Sequence, residues 1–224
     1  MEFEELVRSR RSIRGYKKDP VPRAVIEEIV EVAKGAPSSM NTQPWHVHVA
    51  AGAVLDEIRQ RNMEAMANGA SVNRDIPIHE AYQGIHRHRQ VEIAKQLFAA
   101  MGIAREDKER REDWVLRGFR QFDAPVSLVL TYDREMDPGA IGHFDMGALS
   151  YGIVLAAWDR GLGTVINGQG IMRSDIVREV LQLPDNEVIM TCIALGYPDD
   201  DFSANAVKSH RESNDSIIQY HGLE

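Results

Sequence analysis

Two stretches of this 224-residue chain are apolar almost without interruption, and they constrain the fold more than any other feature. They cover 125–132 and 188–195, which read Pro-Val-Ser-Leu-Val-Leu-Thr-Tyr and Val-Ile-Met-Thr-Cys-Ile-Ala-Leu. Such runs are typical of strands that are covered on both faces. Between them, 144–158 carries apolar residues at nearly every helical position, which predicts a central buried helix. Because no Pro/Gly/Ser-rich linker interrupts the chain, we expect one α+β domain over 1–224.

A loop with the composition of a binding site separates an amphipathic helix from a strand. It runs from Pro37 to Trp45 and reads Pro-Ser-Ser-Met-Asn-Thr-Gln-Pro-Trp. Its small residues, amides and prolines offer many hydrogen-bonding groups and little bulk, so a planar ligand can approach the backbone. On composition alone, a polar connection made of turn residues explains the loop equally well.

The second motif is the run Arg-Arg-Ser-Ile-Arg at 10–14. It contributes to a group of six cations within the first 18 residues, where only three glutamates oppose them. Guanidinium groups match phosphate oxygens in paired hydrogen bonds, and Ser12 adds a hydroxyl donor, so the run predicts a phosphate clamp. The alternative is a solvated basic end that complements the dipole of the first helix.

Together, and in this order and separation, the two motifs resemble the nitroreductase family of flavin mononucleotide (FMN) enzymes. In that family an Arg-Arg-Ser-x-Arg run after the first helix and a Pro-Ser-x-x-Asn-x-Gln-Pro-Trp loop hold the flavin. The resemblance covers nearly the whole chain and is greatest to nitroaromatic reductases with a long insertion before the second core strand. It implies a nitroreductase-like fold in which helices flank a central mixed or antiparallel sheet. It also implies an intertwined, obligate homodimer with exchanged C-terminal tails.

The resemblance assigns most of the flavin site to four segments. The arginine run would contact the phosphate, ribityl chain or pyrimidine edge through Arg10, Arg11, Ser12 and Arg14. The loop would bind the isoalloxazine and ribityl edges through Asn41 and Gln43. Its first residues would pack on the flavin of the other subunit: Pro37, Ser38 and Ser39. A late cation would complete the phosphate site, with Arg211 as first candidate and Lys208 as second.

A second small-residue loop, Asn167-Gly-Gln-Gly170, follows a short predicted strand. In the family, a backbone N–H of the equivalent loop bonds to flavin N5. The sequence leaves open which of Gly168, Gln169 and Gly170 makes that contact, because many relatives have Glu-Gly or Pro-Gln at this place. A tight turn before the next helix is the purely structural alternative.

The segment 75–121 is the predicted insertion, and we expect a helical hairpin separated near Gly102. Its dense charge is typical of a solvated helix face, yet aromatic and aliphatic residues recur as an apolar stripe. In the family the corresponding segment closes over the flavin as a lid. The candidates for the apolar walls of the substrate pocket are Tyr82, Phe98 and Trp114. After residue 198 the chain becomes polar, and 199–224 is predicted to be a C-terminal arm that wraps around the partner subunit.

Charge and composition restrict the partners. A net charge of −8 argues against general nucleic-acid binding, which needs a basic face. The single cysteine, Cys192, leaves no internal disulfide and no Cys-x-x-Cys site, and we expect it to be a small buried residue. His46 and His48 share a strand face without a third ligand at a recognisable spacing, so no metal site is expected. The N-terminus has no signal-peptide pattern and no apolar run is long enough to span a bilayer, which favours a cytoplasmic protein without a membrane partner.

These observations predict an FMN-dependent oxidoreductase that uses NADH or NADPH, as a transient co-substrate, to reduce a small nitroaromatic or quinone-type molecule. The flavin would do the chemistry at N5, so no catalytic side chain is assigned. Absence of a complete Gly-x-Gly-x-x-Gly motif argues against a separate dinucleotide domain and favours a ping-pong two-electron mechanism. Two alternatives remain at this point: reductive dehalogenation or flavin fragmentation on the same fold, and a non-enzymatic FMN carrier or sensor.

Overall fold

The computed structural model describes residues 1–78, 81–137 and 139–223. The principal helices are α1 (Phe3–Ser9), α2 (Arg23–Ala33), α3 (Gly52–Ala67), α4 (Gly84–Ala100), α5 (Lys108–Phe119), α6 (Ala140–Asp159), α7 (Ser174–Leu181) and α8 (Asn214–Ile217). The strands are β1 (Trp45–Ala51), β2 (Val126–Asp133), β3 (Gly163–Asn167) and β4 (Glu187–Gly196).

The four strands form an antiparallel sheet in the order β1-β2-β4-β3. The two continuously apolar segments are its inner strands, β2 and β4, as their sequences predict. Along β2 the side chains alternate between two cores. Leu128 and Leu130 pack with α2 and α6 on one face, whereas Val129 packs with α3 and α7 on the other. The predicted central antiparallel sheet flanked by helices is therefore confirmed.

Helix α6 packs closely against α2, where a Cβ on Gly152 would lie 3.1 Å from the Cα of Ala33. Its opposite face is not buried within the protomer, contrary to the expectation of burial on nearly every side. Phe144 is 76% exposed and Tyr151 is 45% exposed, and Ile141 extends the same face. The expectation that no apolar run is long enough to span a bilayer is wrong for α6, which is long and apolar enough by length and composition. Half of that stretch is buried inside the protein, and one such helix is weak evidence for a membrane span, because core helices of soluble proteins meet the same criterion. The sequence predicted that α6 is buried on nearly every side, but within the protomer other elements cover only one side of it.

The arginine run is docked beside β3. Ser12 forms a parallel bridge with Thr164, and Ile13 N–H donates to Thr164 O at 2.9 Å. Ile13 is fully buried, and its side chain occupies the space that a Cβ on Gly163 would need. The arginines on either side of Ile13 are thereby held at the edge of the sheet.

Two helices, α4 and α5, occupy the insertion, as the apolar stripe predicts, and Gly102 between them has a φ of +60°. Glu80 and His79, within the insertion, lie outside the described residues. The C-terminal arm is mostly irregular, and it contacts α4 through an ion pair between Arg89 and Glu212 at 2.8 Å.

Candidate functional site

A cavity of about 820 Å³ brings together both ends of the chain. α1, the arginine run, α6 and the arm each contribute to its lining. Five of the lining residues are cations: Arg8, Arg10, Arg11, Lys208 and Arg211. Among the described lining residues the one acid is Glu4, and its carboxylate is already paired with Arg8 at 2.8 Å. The cavity thus has a strong excess of positive charge in a protein of net charge −8.

Arg10 shows the electrostatic cost of this arrangement. Burial lowers the pKa of its guanidinium, and the nearby positive charge of Arg211 lowers it further. Within the described part of the chain, the Arg10 side chain forms no hydrogen bond or ion pair. Among the same described residues, Arg211 bonds only to its own arm, through Ser209 and His210. Two unpaired cations that repel each other are a typical arrangement for binding an anion.

Arg14 and Ser12 do not line this cavity but lie next to it, along β3. Burial lowers the pKa of Arg14, with a partial offset from Tyr16. The Arg14 guanidinium bonds weakly to Ser12 O at 3.5 Å, and no carboxylate among the described residues pairs with it. Arg14 is therefore a second partly buried cation whose charge no acid among the described residues offsets.

Arg11 is used differently. Its Nε donates to Asn205 O at 2.5 Å, and its guanidinium lies 5.3 Å from the centre of the Trp158 ring. Both contacts hold the run against the arm and α6. The structure thus gives Arg11 a structural function, although it also borders the cavity.

Asn205 is a positioning residue that the sequence analysis missed. Its side-chain oxygen accepts from Arg14 N at 2.7 Å and from Gly15 N at 3.1 Å. Its amide nitrogen donates to Gly15 O at 2.8 Å and to Asp199 O at 2.9 Å. Asn205 therefore joins the arginine run to the start of the arm, so the cations from both chain ends have fixed relative positions.

The predicted binding loop lies at the other end of the exposed face of α6. Ser39 N–H donates to Asp145 Oδ2 at 3.1 Å, and Ser38 Oγ accepts from Gln43 N at 3.0 Å. Asn41 and Gln43 both have positive φ, as does Met40, which is 94% exposed. Strained backbone of this kind is common at functional sites. The predicted flavin contacts of this loop do not line the cationic cavity, nor a second cavity between α4 and the arm: Pro37, Ser38, Ser39, Asn41 and Gln43.

The second loop, at the end of β3, is fixed to the insertion. Asn167 Nδ2 donates to Gly118 O at 2.8 Å, and Gln169 Nε2 donates to Val115 O at 3.2 Å. Gln169 N–H is engaged by Asn167 Oδ1, and Gly170 is packed against Cys192, where a Cβ would lie 2.7 Å from Sγ. Gly168 differs, because within the described residues its N–H has no recorded partner and a Cβ there would meet only Arg74.

Arg74 is a further cation that the sequence analysis missed. A Cβ on Gly168 would be 3.4 Å from one Arg74 terminal nitrogen, so the guanidinium lies beside the second loop. Its Nε is buried without a hydrogen-bond partner, and its one recorded bond, to Met190 O, is 3.4 Å long. Burial lowers the pKa of Arg74. No local pattern in the polar stretch 71–75 distinguishes this arginine from a solvated one.

The three aromatic candidates of the insertion are not gathered in one place. Tyr82 lines a second cavity of about 740 Å³ between α4 and the arm, which shares Ser209 and Arg211 with the cationic cavity. Phe98 lies under the Arg111 guanidinium at 3.9 Å. Trp114 stacks on Phe202 with ring centres 6.4 Å apart. In this structure Phe98 and Trp114 therefore pack within the insertion and arm.

The two histidines of β1 are paired with acids. His46 bonds to Asp133 at 2.9 Å and His48 bonds to Glu187 at 2.6 Å. Thr131 donates to the same Glu187 oxygen. Burial raises the pKa of Glu187, but the hydrogen bonds from Thr131 and His48 outweigh it, so the pKa is lowered overall.

Comparison with known proteins adds an independent line of argument. A family model described as "Nitroreductase family" matches residues 7–197. A chloronitrobenzene nitroreductase of Comamonas testosteroni is 33% identical over 93% of this chain and 92% of its own length. A nitrobenzene nitroreductase of Ectopseudomonas oleovorans is 34% identical over 91% of this chain and 89% of its own length.

Among solved structures, this chain is similar to the FMN-dependent nitroreductase NfnB from Mycobacterium smegmatis, described in complex with NADPH. The two chains are 29% identical, the TM-score is 0.90, and 97% of each chain is covered. The similarity therefore extends through the core, the insertion and the arm.

Proposed function

Because this chain belongs to the nitroreductase family, we propose that it is an FMN-dependent oxidoreductase that uses NAD(P)H to reduce nitroaromatic or quinone-type acceptors. Relatives named for chloronitrobenzene and nitrobenzene favour this function over dehalogenation and over a passive flavin carrier.

The observation that carries the proposal is the group of unpaired cations in the cavity. Arg10 and Arg211 repel each other, and Lys208 lies at the same wall. A terminal phosphate would offset this repulsion, because its oxygens accept charge-assisted hydrogen bonds from guanidinium and ammonium groups. FMN ends in such a phosphate. These residues therefore fit the monophosphate of FMN.

The chain also offers a place for the flavin ring beyond the cavity. Gly168 is the fourth residue after Thr164, which lies beside Ser12, and four steps of extended chain correspond to about 13 Å. Ser12 and Arg14 lie along this path, where they could hold the ribityl chain. At its end, Gly168 N–H and the Arg74 guanidinium have capacity to bind a polar ring edge. When bound there, FMN would supply the two-electron chemistry that no side chain of the protein supplies.

A homodimer is part of the proposal, and three surfaces support it. The exposed apolar face of α6 lies between the cationic cavity and the loop 37–43. β1 is an edge strand, and the arm carries exposed apolar residues, including Ile217 and Tyr220. A second copy seated on α6 would cover the apolar face and bring its own Pro37, Ser38, Ser39, Asn41 and Gln43 to the neighbouring flavin.

We further propose that α4 and α5 act as a lid that shapes the acceptor pocket. Tyr82 is the first candidate for its apolar wall, because it is 53% exposed and lines the cavity next to Arg211. Phe98 and Trp114 stay candidates that would need to leave their present packing. The proposed substrate is a small aromatic molecule. We place the enzyme in the cytoplasm and propose neither nucleic acid nor membrane as a partner.

The test begins with the purified protein, which should be yellow and should release FMN after denaturation. Recovery of FAD as the main flavin would contradict the phosphate assignment. Anaerobic stopped-flow mixing with NADPH or NADH should then bleach the flavin, and a nitroaromatic or quinone should restore the colour. A carrier would stay oxidised. Halide release from halogenated aromatics, without turnover of nitroaromatics, would favour the dehalogenase alternative.

A further inference from the structure

A buried polar cluster lies behind the loop 168–170, and the proposed function does not use it. It consists of Asn62 on α3, Gln121 after α5 and Ser127 on β2, with exposures of 1%, 0% and 0%. Four of their polar atoms have no hydrogen-bond partner within the described residues: Asn62 Oδ1, Gln121 Oε1, Gln121 Nε2 and Ser127 Oγ. Such atoms are rare in native proteins, and a group of them calls for a polar occupant.

These side chains surround Gly170 and Cys192. Asn62 Nδ2 donates to Gly170 O at 3.1 Å, and a Cβ on Gly170 would lie 2.8 Å from Gln121 Cγ. The Ser127 hydroxyl is beside the Cys192 thiol and partly offsets the burial that raises the pKa of this thiol to about 12. Cys192 therefore stays protonated and donates to Asn167 O at 3.0 Å. The cluster thus contacts the loop at Gly170, and Cys192, beside Ser127, bonds to the residue that precedes the loop.

The backbone holds Gln121 in this place against its conformational preference. Gln121, Phe122 and Asp123 have φ values of 55°, 55° and 57°, a left-handed run of three residues without glycine. Arg59 clamps the run, because its Nε donates to Arg120 O at 2.8 Å and its terminal nitrogen donates to Ala124 O. Left-handed residues of this kind persist only where their surroundings fix them, and they are concentrated at functional sites.

We propose that Asn62, Gln121 and Ser127 bind ordered internal water behind the loop 168–170, and that Gln121 acts through it as a positioning residue for that loop. A buried water needs two to four polar partners, and the four unpaired atoms supply them. The four atoms do not form hydrogen bonds with each other. Without water, each of them would be buried with its hydrogen-bonding capacity unsatisfied, which costs free energy. Water binding is independent of the proposed function, whereas the positioning role rests on it.

The first test is a high-resolution crystal structure of the FMN-loaded protein. We expect at least one water with hydrogen bonds of about 2.7–3.2 Å to two or more of the four atoms. A dry cluster, or side chains rearranged so that they pair with each other, would overturn the water site. This result does not depend on any catalytic activity, so it stays informative even if the proposed reaction is wrong.

The second test compares Gln121→Met, which removes both polar atoms at similar volume, with Gln121→Glu. We expect the Met variant to be reduced by NADPH about five- to tenfold more slowly, the equivalent of one lost hydrogen bond, with a shifted flavin midpoint potential. FMN affinity should change by no more than about twofold, because Gln121 lies behind the loop. Burial should keep the Glu carboxyl neutral, so this variant retains a donor and an acceptor and should restore most of the rate.

Ile26→Val on α2 is the matched control, because it removes buried volume from the core on the other face of the sheet, which includes neither Ile171 nor Cys192. If Gln121→Met merely lowers stability as this control does, with an unchanged potential and reduction rate, the positioning role is refuted. Should the Met variant fail to fold, Ser127→Ala removes one water ligand and should shift the potential in the same direction. An unshifted potential in Ser127→Ala would then count against the proposal.

Discussion

Arg10 and Arg211 come from opposite ends of the chain, and they meet at one cavity in which the positive charge of Arg211 disfavours the charge of Arg10. This repulsion is a cost in the free protein and an advantage when a phosphate binds. Removing one of the two cations should therefore weaken FMN binding without lowering the stability of the apoprotein.

Arg211→Gln should weaken FMN binding by about 10- to 150-fold, the equivalent of one charge-assisted hydrogen bond. The stability of the apoprotein should change by less than about 0.5 kcal/mol, because Arg211 is exposed and pairs with no acid among the described residues. Flavin fluorescence titration and urea unfolding measure the two effects. Arg23→Gln is the control, since it removes an exposed arginine from α2, far from the cavity. Equal FMN affinities in the two variants would remove Arg211 from the site.

Arg14→Ala should lower FMN affinity by a similar factor of about 10 to 150, because the partly buried guanidinium lies beside Ser12 and no described carboxylate pairs with it. Arg14→Lys keeps the charge but not the planar fork, so it should recover only part of the affinity. Since the Arg14 backbone, rather than its side chain, bonds to Asn205, neither change should release the arm. An unchanged dissociation constant in Arg14→Ala would exclude a direct contact.

Phe144→Glu should convert the dimer to a monomer and release FMN. Phe144 is the most exposed of the apolar residues along α6, and a charge buried in an apolar interface is costly. Light scattering gives the mass, and absorbance gives the flavin content. Val54→Glu places the same charge on α3, which packs on the other face of the sheet, and should stay dimeric. A monomer of either variant that retains stoichiometric FMN would refute the shared site.

The sequence predicted those parts of the protein that have a local pattern. Continuous apolar runs marked β2 and β4, and two dense motifs led to the family. Asn205 and Arg74 were missed because their significance arises only in three dimensions. Asn205 bonds to a segment at the other end of the chain, and the burial of Arg74 depends on its position beside Gly168. A single polar residue in a polar stretch carries no periodicity that could show this.

The exposed face of α6 and the packing of the insertion were missed for related reasons. The apolar residues of α6 indicated burial, but the sequence does not say whether the same chain or a second one provides it. Phe98 and Trp114 were predicted as pocket walls from their aromatic character. Arg111 and Phe202 compete for the same rings, and hydropathy does not distinguish a pocket wall from a packed ring.

The loss of folding stability at acidic pH should depend on Glu187. Its pKa is lowered in the folded protein, so its stabilising contribution is fully present above the ordinary glutamate pKa of about 4.3. The contribution is lost as the pH falls through the lower, folded pKa, because the unfolded chain then binds the proton more readily. Glu187→Gln should therefore flatten the decline in urea midpoint below about pH 5. Glu31→Gln, on the surface of α2, should leave the decline unchanged. If the urea midpoint fell equally with decreasing pH in the wild type and in Glu187→Gln, Glu187 would not be the source of the acid sensitivity.

The final prediction concerns the order of substrates. The chain has no complete Gly-x-Gly-x-x-Gly motif. α4 and the arm line the cavity next to Arg211, and α5 bonds to the loop at the end of β3, so these elements lie on one side of the proposed flavin site. Reductant and acceptor should then use the same space in turn, so double-reciprocal plots at several acceptor concentrations should be parallel. Tyr82 lines that side and lies outside the phosphate cavity. Tyr82→Ala should therefore change kcat/KM ratios between acceptors by about tenfold or more, a typical effect of reshaping an apolar pocket. Its FMN affinity should change far less, and Tyr82→Phe should show whether the ring or the hydroxyl sets the preference. Intersecting lines, together with a ternary complex formed with a non-reactive nicotinamide analogue, would show that reductant and acceptor occupy two separate pockets.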